Sequence, residues 1–183
     1  MAIATFPLLQ DGAAVGVWEL DPATAVLEFR VRHFWGAVTV RGRFGVVSGR
    51  VEVAAPGTVT GTIEAQSSSL GSGNASRDKH LRSAEFFHVE NHPTVTFSIA
   101  AVEPLGDDGV RITGDLTAGG RTQSLTFDAR LSDATLEHFT IDGQVSVDRR
   151  AGFGMNWSPL GIASSTALLV VHAQFAKSAP TAS

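Results

Sequence analysis

The chain contains no cysteine, which excludes disulfides, thiolate metal sites, thiol nucleophiles and c-type haem attachment together. It also lacks a basic excess. Lys plus Arg is 14 against 18 Asp plus Glu, a formal charge of −4, so there is no surplus to neutralise phosphates and no nucleic-acid partner is expected. No apolar run approaches the ~20 residues of a membrane-spanning helix; the best stretch, Ala167 to Val171, stops at His172. The first basic residue is Arg30, so the start has no positive n-region of a secretory signal, and the expectation is a soluble, cytoplasmic protein. Nucleotide cradles are missing too: Gly71-Ser-Gly73 and Gly152-Phe-Gly154 do not continue into a phosphate-binding spacing. No Gly-x-Ser-x-Gly elbow presents a nucleophilic serine.

What is present is the composition of a packed globule. Hydrophobic residues make up 43% and charged residues 17% of 183 residues, which suits one domain over 1–183 with a core of about 15–176. The apolar pattern repeatedly has period two, the mark of strands with one buried face. Leu27, Phe29, Val31 and His33 alternate with Glu28, Arg30 and Arg32; Val38, Val40, Gly42 and Phe44 alternate with Thr39, Arg41 and Arg43. Further strands are predicted at roughly 46–54, 58–67, 94–103, 110–117, 123–131, 137–148 and 166–176. Ala55-Pro56-Gly57, Asp107-Asp108-Gly109, Gly119-Gly120 and Ser132-Asp133 carry turn residues, so most neighbours should pair as antiparallel hairpins. The segment Leu116 to Gln123 is the clearest hairpin signal.

Two stretches break the pattern. A polar loop from Ser67 is followed by Arg77 to Phe87, which predicts a short helix capped by Ser76, docking Phe86 and Phe87 on the sheet. Gly152 to Ser165 is irregular yet carries large apolar residues, as expected of a segment folded over something.

His88-Val-Glu90-Asn-His92 offers three metal-ligand types, but the spacing fits no known site and a solvated strand entrance is the simpler reading; no metal is assigned. Asn74-Ala-Ser76 and Asn156-Trp-Ser158 fit the glycosylation pattern, which without an export signal carries little. His33 ends an apolar face. It is either a hydrogen-bonded core histidine or a polar group at the mouth of an apolar cavity. The inward faces also carry small residues, Gly42, Gly61, Ala65, Gly114, Ala129, Gly143 and Ala173, among large ones. Glycines let barrel strands coil, yet so many would also leave the interior unfilled, and an eight-stranded barrel is just wide enough to hold one small ligand.

Several segments then resemble the YceI-like family: Trp18-Glu-Leu-Asp-Pro22, Leu27 to His33, Val40-Arg-Gly-Arg-Phe44 with Ser48-Gly49, Arg77-Asp-Lys-His-Leu-Arg-Ser83 with Phe86-Phe87, Pro93 to Ser98, and Gly114-Asp-Leu-Thr117 with Gly120. They follow the family's order along most of the chain. The resemblance implies a lipocalin-like, extended antiparallel barrel that binds polyisoprenoid or other long amphiphilic lipids, and it implies no catalysis. Where the family usually has His-Ser after Asp21-Pro22, Thr24-Ala25 stand here. The family's arginine before Phe-Gly aligns with either Arg149 or Arg150. The missing signal resembles the shorter intracellular members.

The expectation is therefore an all-β, extended antiparallel β-barrel of about eight strands, with one short helix covering a mouth. It would bind, store or transport an isoprenoid lipid or isoprenoid quinone without chemistry and with no other cofactor. The expected lining is Phe29, Val31, His33, Phe44 and Ile63, with Phe86, Phe87, Phe97, Phe127 and Phe139. His33, Arg77 and Arg149 are the candidates for a head group, and protonation of His33 near pH 6 would favour an anionic one. The partner is a small-molecule lipid, with a homodimer left open. The rivals are a barrel isomerase or cyclase using His33 as general base, and a haem or metal carrier using His33 or the His88/His92 pair.

Overall fold

The period-two stretches fold as strands. In the computed structural model, which describes residues 12–55, 57–106 and 108–179, they run in chain order as β1 (Gly16–Leu20), β2 (Val26–His33), β3 (Val38–Phe44), β4 (Val47–Ala55), β5 (Thr58–Gln66) and β6 (Leu70–Gly71). After one helix, α1 (Ala75–Arg82), come β7 (Thr94–Leu105), β8 (Gly109–Ala118), β9 (Arg121–Ser132), β10 (His138–Asp148) and β11 (Ala163–Lys177). All pairings are antiparallel. The order β1-β4-β5-β7-β8-β9-β10-β11 closes on itself through a β1–β11 pairing, making an eight-stranded barrel. The barrel thus has the expected eight strands, and three more, β2, β3 and β6, continue from β11 outside the closed ring.

The long last strand explains this arrangement. Its end pairs with β1, Leu20 opposite Phe175 and Trp18 opposite Lys177. Its first two thirds pair on the same edge with β2, from Ala167 opposite Val31 to His172 opposite Val26. At ~3.3 Å per residue the strand is ~50 Å long, far more than a five-residue β1 can cover, so one edge serves two strands in succession. The sheet therefore forks at β11, into a β1-β4 branch that closes the floor and a β2-β3-β6 branch that rises around the other end.

The β8–β9 hairpin turns on Gly119 and Gly120, with φ of +56° and +76°, the left-handed pair that a two-residue turn requires. Pro56 and Asp107 of the expected turns lie outside the described residues, as do 1–11 and 180–183 of the expected domain.

The helix differs from the expectation at both ends. It covers Ala75–Arg82, and its cap is Asn74, whose side-chain oxygen accepts from the Arg77 N–H at 2.9 Å, with Ser76 inside the first turn. Asp78 sets this start, because its carboxylate accepts from the backbone N–H of Ser72 at 2.8 Å and from the Ser72 hydroxyl. Ser83 ends the helix: it takes an extended conformation and its hydroxyl donates to the His80 carbonyl at 2.7 Å. Phe86 and Phe87 thus project from the turn after the helix. Phe87 packs among Phe29 at 6.0 Å and Phe44 at 5.8 Å between ring centroids.

The small inward residues do not leave gaps of their own. A Cβ built on Gly42 would lie 2.5 Å from the ring of Phe29, its partner on β2, and one on Gly114 would meet the Phe97 ring at 2.7 Å. Aromatic rings from neighbouring strands cover these glycines, so the reading of glycine as empty volume is corrected.

Candidate functional site: an apolar cavity with a cationic mouth

Even with the glycines covered, the barrel is not filled. A cavity of about 960 Å³ runs through it, near the top of the ~300–1,000 Å³ range of small-molecule sites. Its floor is aromatic. Phe139 and Phe175 stack at 5.1 Å, Trp18 lies 5.2 Å from Phe139, and the Trp18 indole N–H donates to the Ala14 carbonyl at 2.9 Å. Trp18 and Phe175 are each 2% exposed, so this end is sealed.

The walls come from alternate residues of successive strands, because the strand period puts every second side chain inward. Phe29 and Val31 on β2, Phe44 on β3, Ile63 on β5, Phe97 on β7, Phe127 on β9 and Phe139 on β10 all face the cavity, joined from above by Phe86 and Phe87. Several, including Phe97 and Phe127 at 5.9 Å from one another, are only half-buried although they point inward, because the surface they expose is that of the cavity.

At the opposite end the wall changes character. Val145 and Val147 on β10 share the inward parity with the next such residue, Arg149, just as Phe29 and Val31 on β2 lead to His33. Two apolar stripes thus end in polar groups at one mouth. Arg77, at the start of α1, lines the same mouth, held by its Nε and Nη2 donating to the Ser72 hydroxyl and carbonyl at 2.7 and 2.8 Å. The three head-group candidates are therefore brought together. Arg150 points elsewhere and donates to the Ala163 carbonyl at 2.9 Å, which selects Arg149 as the cavity arginine.

Arg149 is 5% exposed. Its Nε donates to the Ser164 carbonyl at 2.7 Å, and its Nη1 to the carbonyls of Met155 and, at 3.2 Å, Trp157. Its Nη2 is buried with no hydrogen-bond partner, and no ion pair among the described residues involves it. An unmatched buried guanidinium N–H is an expensive group to leave bare, and the residue that carries it lines the cavity. Burial, then the positive charge of Arg150, lowers the Arg149 pKa from its ordinary value.

The His33 pKa is also lowered, by burial first and then by the guanidinium groups of Arg149 and Arg77. This corrects the expectation that protonation of His33 near pH 6 would attract an anion. The imidazole is neutral at neutral pH, and the positive charge at the mouth belongs to the arginines.

Other residues of the mouth were not foreseen. Asn74, Ser76, His80 and Trp157 reach the lining, with the His80 ring 4.5 Å from Trp157 and 5.2 Å from Phe86. The irregular segment after β10 does fold over something: Phe153 and Met155 are buried above the barrel, and Trp157 stands at the rim. Of the metal candidates, His88 and His92 lie 5.6 Å apart between ring centroids. Among the described residues no three His, Asp or Glu are placed to hold a metal ion.

The sequence model of the YceI-like domain matches residues 18–175. The chain belongs to the YceI-like family. A UPF0312 protein of Pectobacterium atrosepticum is 38% identical over 109 residues, covering 58% of this chain and 56% of that one. One from Vibrio cholerae is 31% identical over 138 residues, 73% and 70% of the two chains. The alignments with the Pectobacterium and Azotobacter vinelandii relatives span 56% and 64% of those proteins' lengths. Among solved structures, Burkholderia cenocepacia BcnA superposes with a TM-score of 0.75 at 19% identity, covering 85% of this chain and 98% of its own. A polyisoprenoid binding domain from Saccharophagus degradans superposes with a TM-score of 0.74 at 15% identity, covering 88% and 98%. The YceI-like barrel is thus shared with both.

Proposed function

We propose that this YceI-like protein binds one long isoprenoid amphiphile, a polyprenyl lipid or an isoprenoid quinone, without chemical change, and serves in its storage or transport. The tail runs down toward Trp18, Phe139 and Phe175, and the head rests among His33, Arg77 and Arg149. The observation that carries this reading is the apolar tube of about 960 Å³ whose mouth is lined by His33, Arg77 and Arg149. From Phe139 to Val147 along a tilted β10 the tube is ~20 Å tall, which suits several isoprene units. At ~0.8 kcal/mol per buried methylene, three such units supply roughly 10 kcal/mol before ordering costs, enough for micromolar binding. The polyisoprenoid binding of the Saccharophagus neighbour agrees with an apolar tail.

Native mass spectrometry of protein purified without detergent tests the reading, together with displacement of a polarity-sensitive dye by farnesol and by farnesyl phosphate. A retained lipid mass, or displacement at micromolar concentration, supports it. A barrel that is empty and is not titrated by either probe overturns it.

A further inference from the structure

The two most exposed of the described large apolar side chains stand at the mouth. Trp35 is 95% and Leu160 96% exposed, the highest values among the described large hydrophobic residues, while Phe34 and Val38 are 49% and 48% exposed. Trp35 sits on the turn Phe34–Gly36 between β2 and β3, and Leu160 on the turn Pro159–Gly161 before β11. The two turns are adjacent. The Phe34 N–H donates to the Ile162 carbonyl at 3.0 Å, and His33 pairs with Ala163. Phe34, Trp35 and Leu160 adopt φ of +52°, +54° and +53°, a left-handed conformation that non-glycine residues take rarely and that is retained where a side chain must be presented in a particular direction.

Cations stand around this apolar tip. Arg32 flanks the first turn, Arg150 is held to Ala163 beneath the second, and Arg77 and Arg149 line the mouth itself. None of the four takes part in an ion pair among the described residues, whereas Arg30, Arg43, Arg50, Arg111 and Arg130 on the strands do. Four of the nine Lys and Arg residues without an ion pair among the described residues thus stand here, on a chain whose net charge is −4.

We propose that this tip docks the barrel, mouth first, on an anionic lipid bilayer surface. Trp35, Phe34 and Leu160 insert at the headgroup boundary, where the amphipathic indole is favoured. Arg32 and Arg150 engage anionic headgroups. The inference rests on the reading of the cavity as an isoprenoid site. A tail insoluble in water has to pass between bilayer and barrel, and a mouth rimmed by membrane-seeking side chains lets it do so without crossing water. Phe34 and Val38 belong to both the cavity lining and the exposed tip, so the docking surface is continuous with the tube.

Two independent assays separate docking from binding. In flotation with vesicles of phosphatidylcholine containing phosphatidylglycerol, the protein should float at low ionic strength and lose most of its association at high salt or with pure phosphatidylcholine. The double variant Trp35→Ser/Leu160→Ser should float at least tenfold less. It should keep its circular dichroism spectrum and displace dye with farnesol as the unaltered protein does, because neither side chain lines the cavity. Flotation unchanged in the variant, or no flotation of the unaltered protein, overturns the proposal. A tip that instead joins two copies, seen as a dimer in sedimentation that the double variant abolishes without vesicle binding by either protein, overturns it too. Failure of dye displacement alongside normal flotation would sink the cavity reading and leave the docking surface standing.

Discussion

Gly42 lies directly beneath the ring of Phe29: a Cβ added to it would stand 2.5 Å from both Cε1 and Cζ. The clash is with the far end of a side chain that borders open cavity, so the ring can swing inward. Gly42→Ala should therefore lower stability by less than about 1 kcal/mol while reducing lipid affinity, since the displaced ring occupies tail volume. Gly61→Ala should behave oppositely, because its Cβ would lie 2.5 Å from the Arg50 carbonyl oxygen, which has nowhere to go; a loss of about 2 kcal/mol or more is expected. Urea denaturation and dye displacement on both variants check the contrast.

Arg149→Met keeps most of the side-chain volume and removes the guanidinium. Binding of farnesyl phosphate should fall by about 1.5–3 kcal/mol, roughly 10- to 150-fold, with farnesol affected much less. The segment holding Met155 and Trp157 should loosen as well, because their carbonyls lose a donor. Isothermal titration with both ligands, and hydrogen exchange over 152–162, report the two effects separately. Equal losses for alcohol and phosphate would show that Arg149 only braces the loop.

His33→Leu should weaken binding of the headed lipid by about 1–3 kcal/mol, the usual loss for one buried polar partner, and leave a tail-only hydrocarbon nearly unaffected. Fluorescence competition with both ligands decides this, and equal losses would make His33 part of the core.

The lowered pKa of His33 gives a pH dependence with a definite sign. Above its ordinary value of 6.5 the imidazole is neutral in folded and unfolded chains alike. As pH falls through 6.5 toward the folded value the unfolded chain takes up the proton first, so stability declines over that window. His33→Gln should remove this part of the acid sensitivity, seen as a flatter dependence of the denaturation midpoint on pH. An anionic ligand resting beside the imidazole should raise its pKa, which NMR titration of the ring with and without farnesyl phosphate would follow.

Phe127→Asp places a carboxylate in the tube wall opposite Phe97 and should abolish lipid retention. Circular dichroism must accompany the measurement, and a folded variant that keeps its lipid would contradict the assigned lining.

Much of this was readable from the residues, for physical reasons. Strands such as β2 and β3 declare themselves because charged and apolar residues alternate strictly, so one face has to be buried. The same alternation puts Phe29, Phe44, Phe97 and Phe127 inside. It also carries, unused, the answer to the arginine ambiguity: Val145, Val147 and Arg149 share one parity, so Arg149 turns inward and Arg150 does not. β1 is too short to show a period, and β6 has only two residues. Asn74 and Ser76 are equally good caps by type, and the tethers of Asp78 and Arg77 to Ser72 accompany the start at Asn74. The glycines misled because whether a missing side chain leaves a void depends on which residue lies across the strand, and register is invisible to composition. The lowered pKa of His33 comes from burial first and then from two arginines far away in the chain.

The fork of the sheet at β11 separates two mechanical duties. Backbone hydrogen bonds run unbroken around the floor through β1, whereas β3 parts from β4 after Phe44 and is held there by Ser69, whose hydroxyl accepts from the N–H groups of Gly45 and Val46 at 3.1 Å each. The upper wall therefore hangs from the ring through the β2–β11 ladder. Substitutions in β2 and β3 can therefore reshape its aperture while the ladders of the closed ring stay as they are.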